Sequence, residues 1–136
     1  MDNIPDGYAR SRFSSPFLDR SGPYYVKADG ERQLVGIRID KGHINHIETA
    51  HGGVLATLAD VALSLQVYES EDPPIPVATL SLTTNFVAPA RLGDWVEAHA
   101  QINRIGKSLA YCSGEIWAKN SLLMTATGVF SAIRRP

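Results

Sequence analysis

Between Thr49 and Tyr68 the chain carries no Lys, Arg or Glu, and Asp60 is its only carboxylate. Two glycines, Gly52 and Gly53, open the stretch, helix formers follow, and no proline interrupts before Pro73. A surface helix would place charges on its outer face, so this stretch predicts a helix wrapped by protein on nearly all sides. At about 100° per residue, Val54, Leu55, Leu58, Val61, Ala62 and Leu65 gather on one side. Gly53, Ala56, Thr57, Asp60 and Ser64 fall on the other, a small and polar stripe with room for something to approach. A buried carboxylate is costly unless paired. Asp60 is therefore either one half of a structural ion pair with an Arg from elsewhere or a general base or nucleophile.

The residues upstream bear on that choice. His51-Gly52-Gly53 sets bare backbone N–H groups at a helix N-terminus, where the macrodipole favours negative charge and a developing oxyanion can be held. Asp60 follows about two turns later on the Gly53 side. An oxyanion site and a base on one rigid element suit acyl transfer.

Length and charge narrow the classes. At 136 residues the chain predicts one domain, residues 1–136, with a sizeable core. A net charge of −1 gives no basic field for nucleic acid. Cys112 is the only cysteine, which rules out an intramolecular disulfide and suits a reducing, cytoplasmic setting. No secretory leader and no stretch long enough to span a membrane is evident. His43, Asn45, His46, Glu48 and His51 lie close together, but without a tight helical His pair or thiolates the expectation is no metal, with His43 and His46 as ordinary polar loop residues.

Along the chain, residues 1–23 predict a helix-and-loop segment with its helix near Tyr8 to Arg12, Phe13 and Phe17 packing as a lid or onto a partner. Tyr24–Lys27 and Leu34–Ile39 read as strands joined at Asp29-Gly30. After the central helix, Pro73 and Pro74 end it. Val77 to Ala88 reads as a long strand, with Val77, Thr79, Ser81, Thr83, Asn85 and Val87 on one face. Three further strands follow, Val96–Asn103, Leu109–Lys119 and Leu122–Ile133, before a basic tail, Arg134-Arg135-Pro136. The fold class is α+β, one long helix against a largely antiparallel sheet.

The pattern Asn45-x5-His51-Gly52-Gly53-x6-Asp60, followed by a Thr/Ser-rich strand ending at Pro89, resembles the hot-dog-fold acyl-CoA thioesterases of the phenylacetate-degradation type, over about Phe17 to Ile133. The segment from Asn45 to Gly53 is especially close to that subgroup. The resemblance implies a hot-dog fold, a curled antiparallel sheet wrapping one central helix. It implies homodimers or homotetramers with active sites at the dimer interface, an acyl-CoA substrate, and no cofactor beyond the coenzyme A of that substrate.

The resemblance also implies residue roles. Asp60 matches the base or nucleophile, and Gly52 the residue whose N–H polarises the thioester carbonyl. Asn45 matches the residue positioning water or carbonyl, and His51 the one that orients the site. A hydroxyl from the strand after the helix, contributed by the partner subunit, corresponds best to Thr79 and next to Ser81. Gly53 and Ser64 line the same helix, Ser64 as a hydroxyl able to hold the acid. Arg104 and Lys107 fit contacts to coenzyme A phosphates, or else a solvated turn. Some relatives have glycine where this chain has Glu48, a residue that could line the acyl pocket. Two other readings remain open: a hot-dog dehydratase or hydratase using His51 with Asp60, and a non-catalytic acyl-CoA binder, against which the charge of Asp60 argues.

Overall fold

The computed structural model describes residues 3–132. The end of the last strand at Ile133 and the basic tail lie outside the described residues. Seven strands form one antiparallel sheet: β1 (Ala9–Arg10), β2 (Tyr25–Asp29), β3 (Arg32–Arg38), β4 (Val77–Phe86), β5 (Trp95–Ile105), β6 (Leu109–Ala118) and β7 (Ser121–Ala132). Their order across the sheet is β1-β2-β3-β5-β6-β7-β4. A short helix, α1 (Pro16–Ser21), precedes β2, and the long helix α2 (Gly52–Tyr68) joins β3 to β4. The sheet curls around α2, as expected of a hot dog, and α2 touches β3, β4, β5, β6 and β7.

The core is the apolar side of α2 against the inner face of the sheet. Leu58, Leu63 and Val67 from the helix meet Val35, Ile37, Val96, Ile116, Met124 and Phe130 from the strands, all fully buried. The predicted stripes hold in the main. Leu55, Leu58, Val61, Ala62 and Leu65 are buried and Val54 is half-buried, while Gly53 is exposed and Ala56, Thr57 and Asp60 are half-buried. Ser64, by contrast, is buried. The helix is thus covered on three sides and open on the fourth, rather than wrapped all round.

The N-terminal segment departs from expectation. Tyr8 to Arg12 holds no helix; Ala9 and Arg10 pair with Val26 and Tyr25 as the edge strand β1. The helix starts later, where Ser15 caps it by accepting the Leu18 N–H and Pro16 fills the first turn. Proline suits that position because its missing N–H has no partner there in any case. Phe13 packs on Tyr68, ring centroids 5.0 Å apart, whereas Phe17 is exposed. On the outer face Tyr8 stands edge-on to Trp95 at 4.9 Å, with the Arg38 guanidinium over the same indole. Gly36 lies under that indole, and a Cβ there would collide with the ring.

Two loop details follow from side-chain chemistry. His43 is buried rather than a plain polar loop residue. Its Nδ1 accepts the Asp40 N–H at 3.0 Å and its Nε2 donates to the Ser21 carbonyl at 2.8 Å, tying the end of α1 to the loop before α2. Glu48 occupies the left-handed region at φ 63°, a conformation that glycine adopts without strain. Its side chain is exposed at the loop tip. Glu48→Gly is expected to stabilise the protein by about 1 kcal/mol through relief of that strain, raising the melting temperature by roughly 2–5 °C in a thermal scan.

Cys112 is buried and is packing, not chemistry. Burial alone pushes its thiol from 9.0 up to about 11. A folded value above the unfolded one adds stability at neutral pH, and that contribution is lost as pH rises from about 9 through about 11. Denaturant titrations should therefore show wild type losing stability relative to Cys112→Ala across that range. At pH 8 the thiol should escape alkylation, followed by mass spectrometry, until the protein is unfolded.

Candidate active site

The open side of α2 faces β4. Strict alternation would set Thr79 and Ser81 on one face of that strand, but a bulge intervenes. Thr79 pairs with Phe130 and Ser81 with Val129, leaving Leu80 as the extra residue. Directly opposed residues share a face, and Phe130 is core. Thr79 therefore faces the helix, and Ser81 lies on the outer face of the sheet. Beyond the bulge the inward residues are Leu82, Thr84 and Phe86, opposite Gly128, Ala126 and Met124.

This arrangement brings Thr79 to Asp60. The Thr79 hydroxyl donates to Asp60 Oδ1 at 2.6 Å, and both residues belong to the same protomer, not to two as the resemblance implied. Among the described residues Asp60 forms no ion pair, so the alternative of a structural partner to an Arg does not apply. Asp60 is half-buried on the side of α2 that faces β4.

At the head of the helix His51 is the N-cap. Its Nδ1 accepts the Gly53 N–H at 2.9 Å, which leaves the proton of a neutral imidazole on Nε2. The Gly53 N–H is thereby spent and is no oxyanion donor. The Gly52 N–H, in the first turn, has no carbonyl within the helix to receive it. The ring of Phe86, 55 % exposed, lies 3.4 Å from where a Cβ on Gly52 would stand.

Asn45 is engaged within its own loop. Its Oδ1 accepts the N–H groups of Ile47 at 3.0 Å and Thr49 at 3.1 Å, and its amide donates to the Thr49 hydroxyl at 3.0 Å. Ser64 lies buried one turn beyond Asp60. Arg104 and Lys107 are exposed at the β5–β6 turn, away from the α2–β4 groove. No cluster of potential metal ligands occurs among the described residues, and no helix among them is long and apolar enough to cross a membrane.

One distance corrects the reading of α2 as a self-sufficient catalytic element. Gly52 and Asp60 are eight residues apart, about 12 Å along the axis at 1.5 Å per residue. A thioester carbonyl cannot lie within hydrogen-bond reach of both in one protomer. Asp60 with Thr79 therefore lies at a different place along the helix from its head, where Gly52 stands beside Phe86.

A helix held in a curled antiparallel sheet, with a hydroxyl-bonded carboxylate on its open side, defines a hot-dog enzyme of the thioester-processing class. The chain belongs to the thioesterase superfamily, whose family model matches residues 48–125. It is 43% identical over 131 residues, 96% of this chain and 98% of the relative, to a Pseudomonas aeruginosa protein described as a candidate esterase. It is 27% identical over 103 residues to acyl-coenzyme A thioesterase 13 of Mus musculus, covering 76% of this chain and 73% of that one. Among solved structures, the phenylacetic acid degradation protein PaaI of Thermus thermophilus superposes with a TM-score of 0.77 at 26% identity, over 88% of this chain and all of that one.

Proposed function

We propose that the chain is an acyl-CoA thioesterase, hydrolysing a small or medium acyl- or aryl-CoA thioester to the carboxylic acid and coenzyme A. The observation that carries this is the Thr79–Asp60 hydrogen bond on the open face of α2. Thr79 holds one carboxylate oxygen and leaves the other to act. Asp60 takes a proton from water as the water oxygen adds to the thioester carbon, and the C–S bond breaks as the proton passes to the leaving thiolate. A direct attack by the carboxylate, followed by hydrolysis of the anhydride, uses the same geometry. The reaction needs no cofactor of its own.

The oxyanion is held by the Gly52 N–H of a second protomer, because the 12 Å separation along α2 forbids the donor and base of one chain from sharing a carbonyl (about eight residues of rise). The edge strand β4 is the seam. Its outer edge is unpaired, and Leu80, Phe86 and Val87 are 58%, 55% and 58% exposed. Antiparallel pairing of two β4 strands about a two-fold axis continues the sheet, covers those side chains, and runs the two α2 helices in opposite directions. Two such sites form per dimer, with His51 Nε2–H and Asn45 at the rim of each, and dimers of dimers are compatible with it. One hot-dog domain per chain is the working unit, and Arg104 and Lys107 hold coenzyme A phosphates. A free thiol held reduced suits the cytoplasm.

Thiol release from a panel of acyl- and aryl-CoA esters tests the reading. Release that ranks with the acyl group is expected. No release from any ester overturns it. Binding without turnover would then mark an acyl-CoA binder, and conversion of an enoyl-CoA without thiol release a hydratase.

A further inference from the structure

His43 is one of two polar side chains buried among the described residues. Its Nε2 faces two carbonyl oxygens at the end of α1, Ser21 at 2.8 Å and Gly22 at 3.2 Å, so that nitrogen carries a proton. Its Nδ1 accepts the Asp40 N–H at 3.0 Å. The backbone of the same residue reaches the other way, where the His43 carbonyl accepts the His51 N–H at 2.8 Å. One residue thus joins α1, the loop before α2 and the residue that caps α2. From this junction we infer that His43 is a positioning residue for the Gly52 N–H, fixing the head of α2 against α1.

Gly52 lies between two tied amides. The His51 N–H is held by the His43 carbonyl, and the Gly53 N–H by the His51 ring at 2.9 Å. The Gly52 N–H between them has no helical acceptor, and its direction follows from those two bonds. Upstream, the Ala50 N–H donates to the Ala90 carbonyl at 2.8 Å, which anchors the incoming chain but leaves the His51 peptide to His43. Any residue at position 43 offers a carbonyl; the ring is what fixes where that carbonyl stands. A packing role alone would not need an imidazole, since an apolar side chain fills such a place without requiring partners for two nitrogens. The role rests on the thioesterase reading, in which the Gly52 N–H receives the oxyanion. A donor aimed at charge that develops only in the transition state acts on kcat rather than KM.

Two substitutions in the purified full chain separate the bonds of the ring. His43→Gln sets an amide N–H where Nε2 stood and keeps the bond to α1, whereas His43→Asn keeps an acceptor for the Asp40 N–H but falls short of α1. His43→Gln is expected to retain most of the wild-type kcat. His43→Asn is expected to lower kcat by about 10- to 10²-fold with KM unchanged, the scale of a displacement of about 1 Å at a reacting group. Thermal scans establish that each variant is folded. Hydrogen exchange at the His51 amide, followed by NMR, should quicken in His43→Asn and not in His43→Gln. An equal loss of kcat in the two variants, or a loss confined to melting temperature, overturns the proposal. So does an unprotonated Nε2 in nitrogen-15 spectra of the wild-type ring, a reading that depends on neither variant folding. Failure of the thioesterase reading looks different: wild type releases no thiol from any ester, while the ring proton and the His51 exchange still report the tie to α1.

Discussion

Asp60→Asn is expected to slow thioester hydrolysis by about 10²–10⁴-fold, the range for a positioned proton acceptor. The substitution is nearly isosteric, and the amide oxygen still accepts from Thr79, so the groove keeps its shape while losing its base. Asp60 forms no ion pair among the described residues, so no cation is stranded when the charge goes. Melting temperature should therefore hold or rise, which separates lost chemistry from lost fold. The measurement is the initial rate of thiol release for both proteins, with a thermal scan of each. A fall of less than about fivefold would take Asp60 out of the chemical step, since a base contributes far more than that.

Gly52→Pro should cost about 10²–10³-fold in kcat, the loss typical of removing one oxyanion donor. Proline is tolerated at the first helical position, and His51 already has the extended ψ of 138° that a following proline requires. The change thus deletes an N–H with little penalty to the helix. Its sharper use is in combination. If each site takes Gly52 from one protomer and Asp60 from the other, a mixed dimer of Gly52→Pro with Asp60→Asn carries one intact site and one doubly damaged site. Co-refolding the two inactive variants in equal amounts makes about half of the dimers mixed, and activity should return to about a quarter of wild type. If both groups acted within one protomer, every site in every mixture would be damaged, and no activity would return.

The parts legible in the sequence were those governed by local pattern. The run from Thr49 to Tyr68, with Asp60 its only carboxylate and no Lys, Arg or Glu, marked α2, and Asp29-Gly30 marked the β2–β3 hairpin, where Gly30 takes a φ of 65°. The late helix was also legible, in Ser15-Pro16 as cap and first turn, but the scattered apolar residues from Ile4 to Phe13 drew the helix too early. His43 could not be read as buried, because what buries it is the Ser21 carbonyl, which only the tertiary fold brings near. The bulge at Leu80 was hidden for a similar reason. The alternation of Thr79, Ser81 and Thr83 looks unbroken, and only pairing with β7 shows that the phase slips. Of the site, Asp60, His51 and Gly52 came from the helix and the resemblance. Their proposed division between two chains rests on helix rise once both are assigned to one α2.

That slip in β4 has a consequence for how the strand can change. Without the extra residue at Leu80, one reading frame would have to serve the whole strand. Either Thr79 would face inward, followed by Ser81, Thr83 and Asn85 against the core, or Leu82 and Phe86 would face inward and Thr79 would turn to solvent. The bulge splices two frames, each kept where it is needed. The stretch from Leu82 to Phe86 can then be rewritten without rotating the Thr79 hydroxyl away from Asp60, so the two halves of the strand are free to change independently.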